Sequence, residues 1–475
     1  MLDKLNIFDA DTNWPLLIGM MALIILITAG LTFYLNLKGE EGFKINPQVQ
    51  LVEDKEYQIT YWDYPLFIGQ EGDYEEFLQE AIGEFNDMYP NIKVNYELLS
   101  FINGEDKLQE KLEEGKPPDI YNDIFSKKLI SKELQIPVDI FFAAESTKER
   151  DIFQEYNQLG IKALSYDEKI WGMPNWLAPQ VWVGNRSLLS ETNLDLTRIQ
   201  EEGWTWDTFY QGAKQIKDLN RKSCIIFNPY NSKLFYQLLR MNGTQSLISK
   251  EGELLLTSQQ LETTFDFLDD LRSHELFYDQ PEEMNKKLLP YFWQNRAGII
   301  APVNIWLLNN LYQRDQKESD VELTLMPIPT NDPEEKRVPL KVSSLLLFRQ
   351  EEYKGDDHTK AVYKFAKFMN QQKQLFVAKK LNVVPVYLSL AELWKEETDL
   401  SSKIKEEILT YINRGSYQEL SGFQNMKYEA QIKQVIDQQY EAFWLEGEPI
   451  TKVTDEIMTK AQEILNLNQN PEKED

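Results

Sequence analysis

The chain has 475 residues, too many for one ordinary hydrophobic core, so two lobes or domains are expected. Apolar residues make up 42% and aromatics 12%, enough to build cores and to exclude global disorder. The 77 acids against 50 bases give a net charge of −27, which repels phosphate backbones and argues against a nucleic-acid partner.

In chain order, the first feature is Pro15 to Leu35, a run without a charge. A bilayer core needs roughly 20 apolar residues in a helix, so this run is long enough to span. It exceeds the roughly 7–15 residues of a secretory signal's apolar stretch, and the small pair Ala29-Gly30 lies inside it. Residues 1–37 are therefore expected to be an uncleaved signal anchor, one N-terminal transmembrane helix, with a cleaved signal peptide as the alternative. The flanking lysines, Lys4 before and Lys38 and Lys44 after, orient it poorly. No cysteine stands at the end of the run, which excludes a lipid-anchored lipoprotein. Residues 38–55 read as a linker, and the body from about residue 56 contains no second apolar run of that length.

Tyr57 to Trp62 is β-rich and predicts a strand. Tyr74, Phe77, Leu78, Ala81, Ile82, Phe85 and Tyr89 recur at offsets of three and four, one helical face, which Pro90 closes. Ile92, Val94, Tyr96 and Leu98 alternate as a second strand. A short helix carrying Leu108 and Leu112 ends at Gly115, and Pro117-Pro118 precede Asp119-Ile120-Tyr121. This β-α-β-α-β order predicts a parallel sheet covered by helices. Ligands of such sheets sit beyond the carboxyl ends of strands, which points at Trp62 to Tyr64 and at Asn122-Asp123. Further helices are predicted over Leu261–Leu271, Ala361–Leu381, Gln431–Trp444 and Val453–Leu465. Strands are predicted at Ala297–Ala301, Leu323–Met326 and Ser343–Phe348, and the last residues, 469–475, read as a polar tail.

The usual catalytic and cofactor signatures are missing. There is no GxGxxG or GxxxxGK loop for phosphates, and no HExxH, CxxC or GxSxG. Cys224 is the single cysteine, which excludes an intramolecular disulfide; its apolar surroundings (SCIIF) predict a buried, inert thiol. His274 and His358 both sit in charged sequence and read as solvated surface residues, so no metal site and no cofactor is expected. Eleven tryptophans do stand out. Trp62 lies at a strand end, Trp176 between Pro174 and Pro179, and Trp306 after Pro302, positions read as loops rather than periodic core faces. Flat aromatic faces stack on the apolar faces of sugar rings, although each tryptophan could equally be core or rim packing.

Taken together, these segments resemble a known family, the extracellular solute-binding proteins of family 1, which are the sugar receptors of ABC importers. EEFLQEAIGEFNDMYPNIKVNYELL resembles the family's helix and following strand, and KLEEGKPPDI its "aaGkpPDv" segment. IKALSYDEKIWGMPNW resembles "ydGkvYGlP", GWTWDTFYQGAKQIK resembles "pkTWdEf", and RAGIIAPVNIW resembles "kaAm...g.W". The landmarks run in family order over about residues 56–468. Three departures are visible. The lipobox is missing, and the apolar run Pro15–Leu35 stands in its place. Ser343-Ser344 replace a glycine pair, and Gly184 replaces the tyrosine before Asn185-Arg186.

The resemblance implies an α/β, two-lobed periplasmic-binding-protein-like (class II) fold with the ligand between the lobes. Lobe one would take 56–178 with 342–390, and lobe two 179–341 with 391–468. It implies a monomeric, non-enzymatic receptor outside the cell that captures a carbohydrate and delivers it to an ABC permease, and the apolar run Pro15–Leu35 would tether it to the cell membrane. A same-fold receptor feeding a signalling partner, a surface glycoside hydrolase and a scaffold without ligand are the alternatives. The candidate ligand-binding set is Trp62, Asp63, Tyr64, Asn122, Asp123, Trp176, Asn304, Trp306, Ser343 and Tyr387.

Overall fold

A computed structural model of the chain describes residues 45–469, apart from 67–72, 149, 221–222, 278–283, 304–306, 309, 313–320, 333, 336, 382, 399 and 419. The expected span at Pro15–Leu35 lies outside the described residues. Among those described, no helix is long and apolar enough to cross a membrane.

Strand β1 (Tyr57–Asp63) buries Tyr57, Ile59, Tyr61 and Asp63 on one face and leaves Gln58, Thr60 and Trp62 more accessible. That is the period of two that a pleated strand imposes. The helix Asp73–Met88 buries Tyr74, Leu78, Ala81, Ile82 and Phe85 against it and stops before Pro90. Strands β2 (Ile92–Leu98) and β3 (Ile120–Asp123) then lie parallel to β1, with Tyr57 opposite Ile92 and Tyr61 opposite Ile120. The predicted β-α-β-α-β unit is present. β4 (Gln135–Ile136), a small hairpin of β5 (Ser165–Tyr166) and β6 (Lys169–Ile170), and β7 (Met173–Pro179) follow.

After Gln180 alone, β8 (Val181–Asn185) opens a second sheet, joined by β9 (Ser223–Ile226), β10 (Ala297–Ile300) and β11 (Leu323–Pro327) in the order β11-β8-β10-β9. The chain returns in β12 (Val338–Phe348), then β13 (Val384–Pro385) and β14 (Gly415–Ser416), completing a first sheet of order β13-β7-β12-β3-β1-β2. β12 runs antiparallel to both β3 and β7. Along that path only the β2-β1-β3 part is parallel, because β12 enters from the other sheet and not through a crossover helix; β14, off the path, also pairs parallel with β12. Each sheet, with its helices, is one lobe of a two-lobed α/β fold.

Lobe one is backed by the long helix Asp356–Lys380, which buries Val362, Phe365, Ala366, Met369 and Val377. Lobe two has its own apolar core around Trp182, Phe209, Phe235, Phe265 and Leu268, completed by Ile432 and Ile436 of helix Met426–Glu441 and by Val453 and Ile457 of helix Ile450–Gln469. Helix Leu388–Glu397 packs on Asp356–Lys380, and β14 pairs with the start of β12, so the chain reaches the second core for the last time after residue 416. Gly184 sits between β10 and β11 where an added Cβ would meet Leu189 Cδ1 at 2.6 Å and Met326 Cγ at 3.0 Å. This close approach explains why no larger residue stands there.

Two sequence expectations need correcting. His358 is not a solvated surface residue. It is 8% exposed, and its Nε2 lies 2.9 Å from Asp119 Oδ1, because the first turn of helix Asp356–Lys380 docks against the start of β3. Trp176 lies not in a loop but inside β7, where the pairing with β12 shifts register between Ser343 and Ser344; this irregularity accommodates Pro174 within a strand.

Candidate functional site

A cavity of about 1180 Å³ lies between the lobes. Lobe one contributes Phe101, Phe125 and Trp176; the crossing strands contribute Ala178 to Val181 and Lys341. Lobe two contributes one helix above all. In Lys233–Met241, Leu234, Phe235, Leu238 and Leu239 are buried in the lobe core. Lys233, Tyr236, Gln237 and Arg240, at spacings of three, one and three, form the opposite stripe and line the cleft. Gln237 is oriented by the Trp182 indole, which donates to its Oε1 at 2.9 Å, and the Tyr236 hydroxyl donates to the Lys433 carbonyl at 3.0 Å. Asn228, Asn231 and Gln245 add amides to the wall. Aromatic faces with amides between them can stack on a ring and hydrogen-bond its substituents.

Behind the cleft, inside lobe one, lies a continuous buried polar network. Parity along β1 turns Asp63 inward, and it is 0% exposed. Its carboxylate accepts from the hydroxyls of Tyr61 (2.5 Å) and Tyr74 (2.6 Å), from the Asn122 amide (2.6 Å) and from the Tyr64 backbone N–H (2.8 Å). The Lys373 ammonium reaches both its oxygens, at 2.9 and 2.7 Å. Burial pulls the Lys373 pKa down, and the Asp63 charge opposes that pull. From Asn122 the network continues to Asn175 (3.1 Å), and Asn175 also reaches Ser343 Oγ (3.4 Å). Asn370 donates to Asn175 Oδ1 (2.7 Å), Gln374 to Asn370 (2.9 Å), and the Tyr387 N–H to Gln374 (2.7 Å). Ser344 Oγ, next along β12, is buried without a hydrogen-bond partner.

Of the residues singled out in the sequence, Trp176 lines the cleft directly. Asp63, Asn122, Ser343 and the Tyr387 backbone are brought together, but in the interior network. Trp62 packs under Lys107, whose ammonium lies 4.8 Å from the ring centroid. Tyr64 is buried, its hydroxyl 3.0 Å from that of Tyr121, with Phe101 stacked at 5.4 Å. Asp123 is buried and caps the loop after β3, accepting from the N–H groups of Phe125 and Lys128 at 2.9 Å each. Burial pushes its pKa up to about 6, against those two hydrogen bonds. The Tyr387 ring packs on Tyr156 at 4.4 Å and faces a separate surface pocket. Asn304 and Trp306 lie outside the described residues.

The sequence reading missed Tyr236, Gln237, Arg240 and Lys341. The polar stripe of Lys233–Met241 was visible as a helical period, but nothing in the chain marks which polar stripes face a cleft and which face bulk water. Among the described residues no group of three or more His, Cys, Asp or Glu side chains could hold a metal ion.

Two α/β lobes, three chain crossings and a cleft between them define a two-lobed binding protein. The family model for bacterial extracellular solute-binding proteins matches residues 69–374, and the chain belongs to that family. No curated protein matches it significantly. Solved structures share the fold at low identity. An ABC substrate-binding protein of Listeria monocytogenes, in complex with cycloalternan, is 17% identical with a TM-score of 0.65, covering 87% of this chain and 100% of its own. The sugar-binding protein MalE from Xanthomonas citri is 14% identical with a TM-score of 0.67, covering 88% and 100%. The GacH receptor of Streptomyces glaucescens, solved unliganded and with acarbose, is 14% identical with a TM-score of 0.63, covering 87% and 99%.

Proposed function

We propose that this protein is the extracellular receptor of an ABC importer, held to the membrane by Pro15–Leu35, and that it captures an oligosaccharide by hinge closure for delivery to a permease. The observation that carries the reading is the interlobe cleft of about 1180 Å³, walled by Trp176 and Phe125 on one side and by Tyr236, Gln237 and two asparagines on the other. It exceeds the roughly 300–1,000 Å³ of a usual small-molecule site, which favours a chain of rings over a single one. The family and the sugar-bound structures that share the fold support the same reading. The connections support closure: the described residues of 179–181, 328–337 and 417–425 join the two lobes, and short segments of this kind can absorb a hinge rotation. Glu407 anchors one side of this region, accepting from the Leu325 N–H (2.8 Å) and the Thr324 hydroxyl (3.0 Å). A glycoside hydrolase would need two carboxyl groups about 5–10 Å apart across the bond to be cleaved. The described cleft wall offers amides and cations instead.

The test is calorimetric titration of the full chain in detergent micelles with oligosaccharides of graded length, paired with small-angle scattering. Saturable binding with a smaller radius of gyration is expected. Binding with turnover of the glycan, or no binding by any member of the set, would reject the proposal.

A further inference from the structure

The charge of the cleft runs against the charge of the chain. Acids outnumber bases 77 to 50 overall, yet the described cleft wall carries Lys233, Arg240, Lys341, Lys380 and Lys433 and no acid. Lys433 is paired with Glu429 at 2.8 Å. The other four have no carboxylate within salt-bridge distance among the described residues.

The arrangement is also repulsive. Lys341, on β12, keeps access to water through the open cleft, but protein atoms crowd round it. That crowding lowers its pKa, and the charge of Lys233 lowers it further. Arg240 is pushed down to about 10 by burial and then by Arg337, with Glu335 opposing; Glu335 is itself engaged by Arg337. In lobe one, in the Asp123-capped loop after β3, Lys128 is 3% exposed, with its ammonium 6.0 Å from the Tyr417 ring centroid. It is pushed down to about 8 by burial and then by Arg240 across the cleft, with Asp123 opposing only in part. Like charges held together in a partly desolvated space cost stability unless an anion sits among them.

We propose that the cleft is built for an anionic oligosaccharide, one bearing carboxylate or sulfate groups, gripped by Arg240 and Lys233 of lobe two and by Lys341 of the crossing strand. The proposal rests on the cleft being a carbohydrate site and names the class of carbohydrate. The acceptor oxygens of a carboxylate or sulfate take charge-assisted hydrogen bonds from Arg240 and the lysines, while Trp176, Phe125 and Tyr236 offer faces for the rings. An anion held by Arg240 and Lys233 of lobe two and by Lys341 of the crossing strand bridges the two sides of the cleft. That gives closure a differential contact with the ligand, which a population shift requires.

The experiment titrates the full chain in neutral detergent, at low and high salt, with four hexamers: maltohexaose, hexagalacturonate, its methyl ester and a chondroitin sulfate hexasaccharide. The ester keeps the galacturonate backbone and removes the charge. The expected result is binding of hexagalacturonate or of the sulfated hexamer, whichever carries the right anion, weakening with salt, and neither maltohexaose nor the ester competing. Arg240→Gln and Lys341→Gln should each weaken the anionic hexamer by at least about tenfold. Arg240→Gln should also raise the melting temperature without ligand, a readout that loss of mere packing would not give. If the ester or maltohexaose binds as well as the charged hexamers and both variants bind normally, the anionic assignment is overturned while the carbohydrate reading stands. If no hexamer binds, both fall. If ATP binds as tightly as the charged hexamers, the site recognises anions without sugars, and the proposal is overturned.

Discussion

Lys373→Met should destabilise lobe one by about 3–5 kcal/mol, because it strands a buried carboxylate. The magnitude follows from the surroundings of Asp63. Lys373 and Asp63 have side chains 1% and 0% exposed, and the lysine makes both of the ammonium contacts the carboxylate receives. What remains is two tyrosine hydroxyls, one amide and one backbone N–H, all neutral donors. They cannot compensate a full charge held out of water. Methionine keeps the length and apolar volume of the lysine stem, so little cavity cost is mixed in. The double variant Asp63→Asn/Lys373→Met removes both charges and should recover most of the loss, since neutral replacements of buried pairs are commonly near-neutral. Equilibrium urea unfolding followed by tryptophan fluorescence measures all three, and the double-variant cycle isolates the coupling. The reasoning fails if Lys373→Met costs less than about 1 kcal/mol. It also fails if Asp63→Asn leaves the unfolding midpoint in place while abolishing sugar binding, which would put Asp63 at the ligand and not in the core.

Trp176→Ala should weaken oligosaccharide binding by about 1–3 kcal/mol in calorimetry, the scale of one buried aromatic contact; unchanged affinity would make Trp176 a packing residue only. Asp123 should make stability fall as pH rises from about 4 to 6. Its folded pKa of about 6 lies above the unfolded value near 3.8, so the folded state holds the proton longer. The gap of about two pH units corresponds to about 3 kcal/mol, which Asp123→Asn should remove from the wild-type pH profile of urea midpoints. Gly184→Ala should cost about 1–3 kcal/mol in the same unfolding assay, since its Cβ meets Leu189 and Met326 inside the second sheet. A neutral result there would show that the strand can shift.

The sequence alone determined the first β-α-β-α-β unit and several later helices and strands, but not β7, β8 or helix Lys233–Met241. Alternation in Tyr57–Asp63 and the three-and-four spacing of Tyr74 to Phe85 are local consequences of backbone geometry, so they survive without any tertiary knowledge. The order of family-like segments determined the two-lobed architecture as well. The facing of individual side chains was only half legible. Parity does separate Trp62 from Asp63, but which parity points inward depends on what packs behind the strand. That is helix Asp356–Lys380, which delivers Lys373 to Asp63 from more than 300 residues away. His358 went the same way: its charged neighbours in sequence look solvated, and its buried place beside Asp119 exists only once that helix docks. The cation-lined cleft is the most thoroughly tertiary feature. Lys128, Lys233, Arg240 and Lys341 are scattered among 127 charged residues, and no local pattern distinguishes them. Only the folding of the two lobes brings Lys233, Arg240 and Lys341 round one cleft and buries Lys128 in lobe one, because electrostatic proximity is set by the fold and not by the spacing along the chain.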